Sequence, residues 1–177
     1  MVKMTVWLVG WVMGAGLLAS VGYGASIPVV DSVMAQTIEQ CVHVAASEYA
    51  VPTAVLLGIV QVESSGWPLA LAVREGSQER PVYARTVEEA HGLVMQWWRA
   101  GKAFSVGLGQ IHTINIKKYK LDPVWLLDPC VNMAWAAFIL RTNFERYGFN
   151  WTAVERYNGK NPEYPWRVWR AMGQQRQ

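Results

Sequence analysis

Chemistry in this chain can be built around one carboxyl, that of Glu63. Residues 52–68 read Pro-Thr-Ala-Val-Leu-Leu-Gly-Ile-Val-Gln-Val-Glu-Ser-Ser-Gly-Trp-Pro. Seven of the ten residues from Ala54 to Glu63 are apolar and larger than glycine, so this segment reads as a helix buried on most sides. Pro52 suits its first turn, and Ser64-Ser65-Gly66-Trp67-Pro68 stops it. Glu63 lies one and two turns beyond Ile59, Val60 and Leu56, on their face. Desolvation and the negative end of the helix dipole both disfavour the carboxylate, so the expected pKa is raised. A carboxyl that holds its proton near neutrality is a general acid. The alternative is a glutamate that merely reaches solvent at a helix end.

Other chemistries find less support. His43, His91 and His112 are far apart, and with two cysteines they offer no metal-ligand spacing. Ser64 and Ser65 lack the glycine elbow of a serine nucleophile. Residues 105–112, Ser-Val-Gly-Leu-Gly-Gln-Ile-His, hold two glycines that allow close backbone approach. Gln110 follows them with an amide that both donates and accepts.

The elements that must position these groups are mostly helical. Residues 35–50 carry Ile38, Cys41, Val42, Ala45, Ala46 and Tyr49 at helical spacing. Short apolar runs at 69–73 and 82–84 flank a polar stretch, which fits a small hairpin or an ordered loop. Thr86-Val87-Glu88-Glu89 is a capping box that launches a helix ending near Gly101. Asp128-Pro129 opens a long helix with Val131, Ala134, Trp135, Phe138 and Ile139 inward, ending before Gly148. Asn150 caps a short segment that ends at Tyr157-Asn158-Gly159, and a last helix spans residues 165–171. Of ten tryptophans, Trp97, Trp135 and Trp169 are expected in the core, while Trp67 could either pack or stack on a ligand.

At 177 residues the chain is one domain with a short appendage. Its net charge of +3 is small. The excess of seven Lys/Arg over three Glu between residues 141 and 177 carries no reading motif, so nucleic acid is not an expected partner. Lys3, the 14-residue apolar run 6–19 and the small residues Ser20, Gly22, Gly24 and Ala25 read as an export signal over residues 1–25, cut near 22–25. Left uncleaved, the same segment would be an inner-membrane anchor; it is the only expected membrane contact. A linker at 26–36, a domain at 37–173 and a tail at 174–177 complete the division. In an oxidising compartment Cys41 and Cys130 would pair, the alternative being two buried thiols. Such a bridge closes a loop of about 90 residues and contributes about 4 kcal/mol in the chain-entropy picture.

Glu63-Ser64, then Gly107-Leu108-Gly109-Gln110-Ile111, then Tyr157-Asn158, resembles the lytic transglycosylases with a lysozyme-like domain. The Gly-Leu-Gly-Gln-Ile form, the Thr86 to Ala90 helix start and the late Asp128-Pro129-Cys130 are similar to the branch that accompanies type IV secretion and conjugation. Muramidases of type III secretion and pilus systems share the cysteine pair and layout. The resemblance spans about residues 37–164. It implies an α+β, mostly α fold of the goose-type lysozyme kind, with a small β or loop region in the middle. It implies a periplasmic enzyme that needs no cofactor or metal and cleaves the β-1,4 bond between N-acetylmuramic acid and N-acetylglucosamine in peptidoglycan glycan strands. There the muramic C6 hydroxyl closes on C1, leaving a 1,6-anhydro end. Secretion or conjugation machinery is the implied partner.

Carried over by position, Glu63 is the single acid and then the base, and Ser64 orients the glycan or the acid. Gln110 and the backbone at Ile111 line the cleft, Tyr157 bonds Glu63, and Asn158 sits in the sugar site. The pairing of Cys41 with Cys130 is implied as well. An intramolecular nucleophile removes the need for the second carboxylate of ordinary glycosidases. The sequence departs from the pattern twice: His112 stands where Asn is usual, and Gly159 follows Asn158 directly. Two alternatives stay open: a goose-type hydrolase that would use Glu75 or Glu79 to position water, and a catalytically idle wall-binding assembly protein.

Overall fold

The computed structural model describes residues 27–174; the expected export signal at residues 1–25 and residues 175–177 of the expected tail lie outside the described residues. Helices predominate: α1 (Ile27–Glu48), α2 (Thr53–Ser64), α3 (Val87–Arg99), α4 (Thr113–Lys118), α5 (Pro129–Tyr147), α6 (Trp151–Glu155) and α7 (Tyr164–Gln174). Four strands, β1 (Ala70–Glu75), β2 (Gln78–Tyr83), β3 (Phe104–Val106) and β4 (Ile111–His112), form one antiparallel sheet in the order β2-β1-β3-β4. The α+β, mostly helical class with a small central sheet is therefore the one expected. Helix α1 begins at Ile27 and so runs through most of the stretch read as a linker. Among the described residues no helix is long and apolar enough to cross a membrane.

Helix α2 is the central element. Val55, Leu56, Ile59 and Val60 are buried, each such side chain contributing about 1.5–3 kcal/mol. Pro52 precedes the helix as its cap residue and Ser65 ends it in a left-handed turn (φ 52°). Its long contact with α7 depends on Gly58, because a Cβ there would meet the Val168 carbonyl oxygen at 2.9 Å and Met172 Cγ at 3.0 Å. The absence of a side chain lets two helix backbones touch.

The caps read from the sequence are present. Thr86 Oγ1 accepts from Glu89 N at 3.2 Å, while the Glu89 carboxylate accepts from Arg85 N at 2.8 Å, one residue earlier than the usual reciprocal bond. Asp128 Oδ1 accepts from the amides of Cys130 and Val131, both at 2.9 Å. Asn150 Oδ1 accepts from Ala153 N at 3.3 Å. A disulfide joins Cys41 on α1 to Cys130 in the first turn of α5.

Of the side chains expected inward on α5, Ile139 is buried, while Val131, Ala134, Trp135 and Phe138 are only partly so. The buried side chains of the helix are Asn132, Met133, Ala136, Ala137, Ile139, Leu140 and Phe144. On the neighbouring stripe Trp135 and Phe138 form a half-buried cluster with Tyr119, ring centroids 5.2–5.4 Å apart. The alanines on the true inner face allow close approach, and Asn132 is admitted because all its polar atoms are satisfied. Trp169 is also corrected: it is 51% exposed and stacks on the equally exposed Trp166 at 4.7 Å, because Tyr164, Val168 and Ala171 take the inner face of α7. Trp97 is buried as expected.

Candidate active site

The sheet makes one wall of a cleft of about 600 Å³. Cross-strand partners share a face. On the face toward the cleft these are Ala70 with Tyr83, Ala72 with Pro81, and Arg74 with Glu79; the middle row continues through Ser105 to His112. Opposite stand Glu63, at the end of α2, and the 3-10 turn Arg156–Asn158. Gln110 closes the floor.

Glu63 is partly buried. Burial holds its carboxyl above the usual carboxylate range, against the opposing pull of hydrogen bonding from Tyr164 and Asn158 and the positive charge of Arg167; the negative charge of Glu79 adds to the rise. Asn158 Nδ2 donates to Glu63 Oε1 over 3.4 Å, a long bond. The Tyr164 hydroxyl is buried, makes no other hydrogen bond and acts on the Glu63 carboxyl. Tyr157, expected on Glu63, donates instead to the Gly109 carbonyl at 2.8 Å. The phenol that bears on Glu63 is instead Tyr164, which the packing of α7 along α2 brings up behind the cleft lining.

Ser64 does not line the cleft. It is buried, its hydroxyl donating to Val60 O at 3.0 Å and accepting from Gly66 N at 3.2 Å. These bonds fix the turn at which Glu63 leaves the helix. Trp67 stays out of the cleft lining too, its indole N–H donating to Ala84 O at 2.9 Å and so pinning the hairpin to that turn.

The glycine loop owes its form to a residue that motif reading passed over. Asn132 is fully buried; its Oδ1 accepts from Gly109 N at 2.8 Å, and its Nδ2 donates to Val106 O at 2.8 Å and Leu126 O at 2.9 Å. A Cβ at Gly107 (φ 76°) would collide with the Asn132 amide. One at Gly109 would stand 2.8 Å from both Ala136 Cβ and the Tyr157 hydroxyl. The two glycines are thus the space that Asn132 and Tyr157 occupy. Gln110 is left in the left-handed region (φ 46°), with its Nε2 donating to Ala70 O at 3.0 Å and Gly107 O at 2.9 Å. Strain of this kind collects where a side chain must be aimed. The Ile111 side chain goes to the core, while its residue pairs with Val106 in the sheet.

His112 has a structural task. Its Nδ1 accepts from Ile114 N at 3.1 Å and caps α4, which places the ring proton on Nε2. Burial lowers its pKa, favouring the neutral ring that a cap requires. Asparagine, the usual residue at this place in the pattern, is itself a favoured N-cap. Of the two acids named for a hydrolytic reaction, Glu79 lines the cleft, whereas Glu75 is ion-paired with Arg80 at 3.2 Å. Among the described residues no group of three His, Cys, Asp or Glu side chains is arranged to hold a metal ion.

No curated protein and no solved structure matches the chain. The family model described as Transglycosylase SLT domain matches residues 40–167, from within α1 to within α7, and spans every element of the cleft. With that match over the fold and site described, the chain belongs to the SLT transglycosylase family, the lysozyme-like lyases that cleave peptidoglycan.

Proposed function

We propose that Glu63 is the acid and then the base of a non-hydrolytic cleavage of the bond between N-acetylmuramic acid and N-acetylglucosamine. The observation that carries this reading is the Glu63 carboxyl itself: buried at a helix end, raised in pKa, and open to a cleft lined by polar groups. Protonated Glu63 gives its proton to the glycosidic oxygen as the bond to the muramic C1 breaks. The muramic C6 hydroxyl then attacks C1, and the Glu63 carboxylate takes the hydroxyl proton. The acid is regenerated, no water is consumed, and the product ends in a 1,6-anhydro ring. Asn158 and Gln110 hold the sugar on either side of the bond, and Tyr157 secures the loop that presents Gln110. Ser64 acts by orienting the acid.

The enzyme works on the wall outside the cytoplasm, in the periplasm, opening local gaps for a secretion, conjugation or pilus apparatus. What supports that setting is the Cys41–Cys130 bridge together with the motif order of the conjugation branch. The decisive experiment digests purified sacculi with wild-type protein and Glu63→Gln. Anhydro-ended products from the wild type alone are expected; hydrated, reducible ends would point to Glu79 placing a water, and no products from folded wild type would leave wall binding. In the native host, loss of secretion or conjugation on Glu63→Gln substitution tests the setting, and unchanged transfer would sink it.

A further inference from the structure

The hairpin wall of the cleft changes character along its length. Two of its three cleft-facing pairs, Ala70–Tyr83 and Ala72–Pro81, are small or uncharged, and the third, Arg74–Glu79, is a pair of opposite charges. The hairpin does not need that pair to hold its tip. The neighbouring Glu75 and Arg80, on the other face, already join by two N–H···O bonds of 3.2 Å. The ion pairs of Lys or Arg with Asp or Glu among the described residues are Glu75 with Arg80 and Glu145 with Arg141, and neither Arg74 nor Glu79 takes part in one. Both are exposed on the cleft side. Their charges are felt within the site, Glu79 at Glu63 and both at His112.

The N-acetylated sugars of a glycan strand can hydrogen-bond to such a pair but, being uncharged, offer neither side chain an opposite charge. Charge on this substrate resides in the stem peptide attached to each muramic lactyl group, which carries free carboxylates and, where it is not cross-linked, a free amine. We propose that Arg74 and Glu79 form a stem-peptide site, Arg74 receiving a stem carboxylate and Glu79 the free ammonium of an uncross-linked stem. A guanidinium offers paired N–H donors to a carboxylate, and charge-assisted bonds at the edge of a cleft are stronger than neutral ones. The enzyme then selects peptide-bearing, uncross-linked strands, and the hairpin sets that choice while Glu63 performs the cleavage. This rests on the transglycosylase reading of the cleft.

The test compares stem-bearing glycan strands with strands stripped of their stems by an amidase, measuring initial rates of anhydro-ended product. Wild type is expected to show a KM about tenfold lower on the stem-bearing strands. Arg74→Gln and Glu79→Gln should each shrink that ratio toward one, with kcat on stem-bearing strands changed far less than KM. Acetylating the stem amine should reproduce the Glu79→Gln effect in wild type and add nothing in the variant. The exchanged double variant Arg74→Glu with Glu79→Arg keeps an opposite-charge cross-strand pair, so recovery of the wild-type ratio would mean that the pair serves only the hairpin and would overturn the site. A wild-type ratio near one, or single variants that keep the ratio, would overturn it as well. Failure of the underlying reading looks different: wild type would then release no anhydro ends from either substrate.

Discussion

The Tyr164 hydroxyl is buried against the Glu63 carboxyl and has no other partner, whereas Tyr157 is committed to the Gly109 carbonyl. The two phenols therefore do separate work although their rings stack 6.4 Å apart. Tyr164 bears on the ionisation of the acid, and Tyr157 bears on the loop.

Tyr164→Phe removes a donor that favours the carboxylate, so the Glu63 pKa should rise further and the alkaline limb of activity should move to higher pH. The turnover number should fall, because in the proposed mechanism the carboxylate that takes the C6 proton loses an orienting group. Tyr157→Phe should instead leave the limb in place and cost about 1 kcal/mol of stability through one lost buried bond. A pH-rate profile of both variants, with thermal melts alongside, checks the division; matching shifts in the two profiles would erase it.

Glu63 couples stability to pH with a definite sign. Its folded pKa lies above the ordinary value of 4.5, so the native state holds this proton more tightly than the unfolded chain does. The contribution is full below the unfolded pKa and is lost as pH rises through the folded one. Glu63→Gln never ionises and escapes that loss. Wild type and variant should thus melt closest together at low pH, the variant melting progressively higher as pH increases. Activity of the variant should fall on the order of a hundred- to ten-thousandfold. Melting curves with the opposite pH trend would show that the carboxyl is stabilised, not stressed, by its site.

The burial of Glu63 and its raised pKa were legible in the sequence because a buried helix end is written locally, in the apolar run and the stop signals around it. So were the caps at Thr86, Asp128 and Asn150, each a matter of three or four neighbouring residues. The mates of these residues were not legible. Asn132 looks like a polar interruption in a helix, and only the fold shows three loop groups converging on its amide. Tyr164 follows the Tyr-Asn pair by six residues and reaches Glu63 because α7 lies along α2, a relation made by Gly58 and by no local pattern. Trp169, expected in the core, is turned outward by the helix phase that the buried Tyr164 and Val168 set.

Asn132 offers the sharpest stability test. Asn132→Leu would leave the Gly109 amide and the Val106 and Leu126 carbonyls without their partner in a buried place. A loss of about 3 kcal/mol or more is expected, with activity falling because Gln110 loses its footing. Asn132→Asp is nearly isosteric but turns a negative oxygen toward two carbonyls, and it should be at least as damaging at neutral pH. Denaturant titrations report both, and a near-neutral Asn132→Asp would contradict the assigned amide orientation.

His112 should tolerate one replacement and not another. Asn can cap α4 as the imidazole does, so His112→Asn should change stability by only a few tenths of a kcal/mol, while His112→Leu should cost about 1 kcal/mol. Burial lowers the folded pKa of His112, so its contribution is present above the unfolded imidazole pKa and is lost as pH falls through the folded one. Acid should therefore narrow the gap between wild type and His112→Leu, a trend that melting curves at several pH values would reveal. A gap that widens on acidification would mean that the protonated ring has found a partner, with Glu79 the nearest anionic influence upon it.

Gly58→Ala probes the contact that carries Tyr164 to Glu63. The added methyl would stand 2.9 Å from the Val168 carbonyl oxygen, backbone that can yield only if α7 moves away from α2. Overpacking of this kind costs about 1–3 kcal/mol. The displacement should also carry Tyr164 and Arg167 away from Glu63, because both belong to the moving helix. Two groups that favour the carboxylate would recede together, so the alkaline limb of activity should shift upward as it does in Tyr164→Phe. In the double variant the Tyr164→Phe shift should be smaller than in the wild-type background, since the hydroxyl it removes has already withdrawn. Strictly additive shifts would show that α7 relaxes around the methyl without moving its first turn.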